Sequence, residues 1–87
     1  MDTRELIIKE SEAVTQLLLS KNEAYGDSAL HPQNIFANGD AVENLSARID
    51  DKLMRIKMRG LNDDTEDTVQ DLIGYLILLK VALKLKR

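Results

Sequence analysis

The stretch from Asp40 to Gly60, DAVENLSARIDDKLMRIKMRG, constrains the fold more than any other part of the chain. Val42, Leu45, Ile49, Leu53 and Ile56 recur at spacings of three and four, and at ~100° per residue they share one stripe of an α-helix. Asn38-Gly39 signals a turn just before it, Asp40 suits its N-cap, and Gly60 suits its end. Beside the apolar stripe runs a charged one made of Arg48, Asp51, Lys52, Arg55 and Arg59. It follows the rim of the buried face, where a long side chain can bury its stem and still present its head to a ligand.

The flanking segments also read as helices. The first is expected from Thr3 to Ser20, with Ile7, Val14 and Leu18 facing the core and Leu6 and Leu17 widening the stripe. Glu10 projects into that arc; it either reaches past the core to solvent or an arginine, or sits in a pocket that tunes its carboxylate. Lys21 to Gly39 is a long connection for two helices, and Pro32 discourages helix at His31. Tyr25-Gly26-Asp27-Ser28 has the composition of a turn, and Leu30, Ile35 and Phe36 predict a loop that packs down.

A short turn, Leu61-Asn62-Asp63-Asp64, precedes a third helix expected from Thr65 to about Lys86, with Asp63 or Asp64 as its cap. That helix has two apolar faces. Val69, Leu72, Leu76, Leu79 and Leu83 form one, and Leu78, Val81, Ala82 and Leu85 form the other. A three-helix monomer buries one such face, and the second predicts another copy of the chain against it. Toward its N-terminal end the second face carries Asp67, Asp71, Gly74 and Tyr75. Asp67 and Asp71 lie four apart and point the same way, so they suit either a divalent cation or an arginine from the central helix.

The chain's 87 residues make one small domain, residues 1–87, with a modest core. The expected class is all-α: a small three-helix unit with a long ordered loop between helices 1 and 2, oligomerising through helix 3. The absence of cysteine removes disulfides and thiol chemistry and fits a reducing cytoplasm. A net charge of −3 argues against general nucleic-acid binding. The longest apolar run, Leu76–Leu79, is far short of the ~20 residues of a membrane span. The start, MDTREL, lacks the basic-then-apolar order of a signal peptide.

Three ordered motifs, Lys21-Asn22-x-x-Tyr25-Gly26-x-Ser28, Arg48-x-x-Asp51-Lys52-x-x-Arg55 and Asp67-Thr68-x-x-Asp71-Leu72-x-x-Tyr75, resemble the nucleotide-modification-associated domain, type 1. This family is found mostly in bacteriophages and prophages. The resemblance covers about Lys21 to Leu79 and implies a link to nucleotide metabolism, in the host cytoplasm if the chain is phage-encoded. It implies Lys21, Tyr25, Arg48, Asp51, Lys52 and Arg55 as ligand residues, with Asp67 and Asp71 as candidates for a metal such as magnesium. The leading expectation is a nucleotide-binding module without catalysis, serving in a phage setting to sequester a nucleotide immune signal of the host. Arg48, Lys52 and Arg55 would hold phosphate, Lys21 would close over it from the loop, and Tyr25 would stack on a base or bond a ribose.

Two alternatives stand beside it. The chain's shape also resembles the all-α nucleoside triphosphate pyrophosphatases, which implies magnesium-dependent hydrolysis through Asp67, Asp71 and Asp51 or Glu10. The paired-glutamate motif of those enzymes is missing from the central helix, so no carboxylate is evident to activate water. The other alternative is a purely structural oligomer whose charged stripe forms salt bridges, with Arg55 neutralising Asp67 or Asp71.

Overall fold

The structure is a computed structural model that describes residues 2–35 and 38–86. Three helices carry the fold: α1 (Thr3–Tyr25), α2 (Ala41–Arg59) and α3 (Thr68–Leu85), with no strand among the described residues. The central helix has the expected ends. Asp40 Oδ1 accepts from the Glu43 N–H at 2.9 Å, and the Gly60 N–H, at φ 78°, donates to the Ile56 carbonyl at 2.8 Å.

The other two helices depart from expectation at one end each. α1 runs on past Ser20 to Tyr25, because Lys21 to Tyr25 contains no helix breaker. Gly26 ends it in the left-handed conformation (φ 61°), with its N–H on the Asn22 carbonyl at 2.9 Å. Lys21 and Tyr25 therefore lie one turn apart on a helix and not on a loop. The connection to α2 shortens to residues 26–40. Within it Leu30 is half-buried and Ile35 is 80% exposed, while Phe36 lies outside the described residues. α3 begins later than expected. Its cap is Asp67, whose Oδ1 accepts from the Gln70 N–H at 3.0 Å, and not Asp63 or Asp64.

α3, not α2, is the middle element. Both α1 and α2 pack against it, and they do not pack against each other. Leu45, at 1% exposure, anchors α2, and Val14 anchors α1. Leu6, Ile7 and Ile8 are exposed, so the first turns of α1 project beyond the core instead of supplying it. Leu53 is half exposed, and Lys52 takes the inward position beside it.

α3 is also rotated relative to the two expected faces. Thr68, Gly74 and Ala82 are buried, and Asp71, Leu72, Tyr75, Leu78 and Leu79 are half-buried. Val69, Ile73, Leu76 and Leu83, at 41–46% exposure, point away from the other helices. Gly74 lets Leu18 approach closely, Ala82 is buried, and Lys52 supplies a charge partner for Asp71. A face that looks mixed in the sequence is therefore the one that packs.

Gly74 shows how tight the α1–α3 contact is. A Cβ at this position would meet Leu18 Cδ2 at 3.2 Å. Gly74→Ala gains about 1 kcal/mol of helix propensity and crowds one flexible methyl group, so its net effect on stability should stay within about 1 kcal/mol. Gly74→Leu has no such room and should destabilise by roughly 1–3 kcal/mol. Denaturant titration of the two variants checks both statements.

Candidate ligand cleft

Because α1 and α2 stand apart over α3, a cleft of about 410 Å³ opens between them. That lies in the range of small-molecule sites, about 300–1,000 Å³. Asp71, Gly74, Tyr75 and Leu78 form the α3 side. Leu17, Leu18, Lys21 and Tyr25 line it from α1, Leu45 and Arg48 from α2, and residues 27–30 from the connection. The four-residue spacing of Lys21 and Tyr25 follows from the longer α1, so helix geometry fixes both at the cleft.

Two cations reach this cleft with no carboxylate holding them. Among the described residues neither Lys21 nor Arg48 forms an ion pair. The Arg48 guanidinium carbon lies 6.0 Å from the centre of the Tyr75 ring, at the limit of a cation–π contact. Asp27, also in the lining, is already occupied: its Oδ1 accepts from Asn22 Nδ2 at 2.9 Å, and its Oδ2 lies 3.3 Å from His31 Nε2.

Lys52 and Arg55 of the central helix are spent elsewhere. Lys52 Nζ is 3.1 Å from Glu66 Oε1 and 3.3 Å from Asp71 Oδ2, with its side chain only 18% exposed. Burial works against its charge, but hydrogen bonds to Glu66 and Asp71 outweigh that and hold its pKa above the ordinary lysine value. Arg55 turns away from the cleft toward the α2–α3 turn. Its Nε sits 2.7 Å from Asp63 Oδ2 and 2.8 Å from Glu66 Oε1, and its Nη2 donates to Thr65 Oγ1. Arg55 thus pairs with Asp63 and Glu66, not with Asp67 or Asp71. The Asp63 carboxylate also accepts from the Thr65 hydroxyl and N–H. Hydrogen bonds from Thr65, and then from Arg55, hold its pKa well below the usual carboxylate range.

The structure therefore brings Lys21, Tyr25, Arg48 and Asp71 into one cleft lining, which Asp51, Lys52, Arg55 and Asp67 do not join. Asp51 is exposed and does not line the cleft. Asp67 spends a carboxylate oxygen on its own helix cap, and Asp71 faces Lys52. Among the described residues no group of three or more His, Asp or Glu side chains is placed to hold a metal ion.

Sequence inspection missed Asp63, Thr65 and Glu66 as the partners of the central helix. The Asp-x-Thr spacing was the available signal, since an aspartate two residues before a threonine readily closes a side-chain turn. It also missed Leu17, Leu78 and Gln70 as cleft residues, and no motif marks them. Comparisons of this chain with protein-family models, with curated proteins and with solved structures found no match.

Proposed function

We propose that this chain is a binding module for a small phosphate-bearing ligand, most simply a nucleotide, held in the α1–α2 cleft. The observation that carries the proposal is the pair of cations, Lys21 and Arg48, that line one cleft without carboxylate partners. Arginine suits phosphate through its bidentate geometry, and Tyr25, 71% exposed at the rim, offers a ring to a base or a hydroxyl to a ribose. Lys52 ties α2 to Asp71 of α3, and Arg55 ties it to the turn before α3.

The resemblance to the phage-borne nucleotide-modification-associated domain supports the nucleotide, and with it a role in sequestering a nucleotide immune signal of the host cell. The proposal includes self-association through the outward face of α3, with residues 27–30 of the connection forming a wall of the cleft.

Removal of one cation tests it. Arg48→Ala should weaken nucleotide binding by about 1.5–3 kcal/mol, as for a lost charge-assisted hydrogen bond, while melting changes little because Arg48 is exposed. Calorimetric titration of a nucleotide panel beside thermal melts measures both. Unaltered affinity in Arg48→Ala would remove the site from this cleft. Magnesium-dependent turnover of a nucleoside triphosphate, abolished by Asp71→Asn, would replace the module with a hydrolase.

A further inference from the structure

A cleft built only to hold phosphate has no use for a carboxylate, yet Asp71 lies in its lining. Its Oδ2 is 3.3 Å from Lys52, which does not itself line the cleft and shares its ammonium with Glu66. Lys52 is the only ion-pair partner of Asp71 among the described residues. An ionised carboxylate offers about four lone-pair positions, so this contact leaves both oxygens with acceptor capacity. The first turn of α3 holds the backbone of this residue, with the Asp71 N–H on the Asp67 carbonyl at 3.0 Å.

The cleft thus combines two cations on its walls with the Asp71 acceptor pair on α3, while its other carboxylate, Asp27, is occupied by Asn22 and His31. A ligand that satisfies both ends carries an anion together with two adjacent N–H donors. Of the common bases only guanine presents such a pair, at N1 and N2. Adenine and cytosine place an acceptor next to their amine, and uracil offers a single N–H between two carbonyls. Gln70, in the same lining, carries an amide NH2 that suits the guanine O6.

We infer that Asp71 is the base-selecting residue of the cleft and that the cleft takes a guanine nucleotide. This inference rests on the proposed phosphate-ligand site. The test is calorimetric titration of the full chain, and of Asp71→Asn, with GMP, IMP, XMP and AMP. The wild-type chain should bind GMP roughly tenfold or more tighter than IMP, which lacks the N2 donor, and tighter than AMP by at least as much. An asparagine amide offers one acceptor and one donor, so Asp71→Asn should favour XMP over GMP. Equal affinity for all four nucleotides would overturn base selection and leave the phosphate site standing. No binding of any of them would remove both. If Asp71→Asn fails to fold by circular dichroism, the wild-type comparison of GMP with IMP still decides.

Discussion

Under the proposed self-association through the outward face of α3, Ile73→Glu combined with Leu76→Glu should leave a folded, helical monomer. The two side chains sit on the outward face of α3, at 43% and 46% exposure. Val69 and Leu83 extend the same line along the helix, with the exposed Lys80 among them. The whole chain exposes 6921 Å² at 9.8 kDa, where a compact monomer of that mass exposes about 5,200 Å². The excess of roughly 1,700 Å² is twice the ~800 Å² that each partner of a standard interface covers. Two glutamates facing their own copies across a symmetric contact would be desolvated and repelled together, so association should be lost outright. Light scattering should fall to the mass of one chain with the circular dichroism intact. A wild-type chain already monomeric at micromolar concentration would remove the interface.

Much of the fold was legible because it rests on local rules. Period, cap and turn chemistry place α2 between Asp40 and Gly60 without reference to anything distant. The end of α1 was less legible. Tyr25-Gly26-Asp27-Ser28 looks like a loop turn, yet Gly26 is the helix terminator itself, and Tyr25 belongs to the helix before it. That difference decides whether Lys21 is a mobile lid or a fixed wall.

The choice of face on α3 was not legible, for a tertiary reason. Periodicity ranks faces by apolar content, and the Val69–Leu76–Leu83 line scores well. Close approach at Gly74 and the charge partner Lys52 decide instead for the line through Thr68, Asp71 and Tyr75. The same limit applied to the charged stripe. Residues Arg48, Lys52 and Arg55 lie almost in line on one helix, but α3 crosses them. Arg48 falls on the cleft side, Lys52 at the joint and Arg55 at the turn, and only the neighbouring helix reveals the division.

Arg55→Ala, finally, is expected to lower the melting temperature clearly and to leave nucleotide affinity nearly unchanged. Arg55 ties the last turn of α2 to Asp63 and Glu66, and the Asp63 side chain is only 2% exposed. Loss of the guanidinium leaves that carboxylate with the Thr65 hydroxyl and N–H as its hydrogen-bond donors. A fall of roughly 5 °C or more is the scale on which a domain of this size responds to losing one strong interaction. The acid response gives a second signature. Asp63 has a folded pKa depressed below the ordinary carboxylate value, so its stabilising contribution is present above about pH 4 and is lost as the pH falls toward the folded pKa. Part of that depression comes from Arg55, after the larger contribution of Thr65. Stability of Arg55→Ala should therefore fall less steeply than wild type below about pH 4. Thermal melts from pH 3 to 7, run beside titration with the nucleotide panel, read both effects. An unchanged melting temperature with lost nucleotide binding would move Arg55 from the turn into the ligand site.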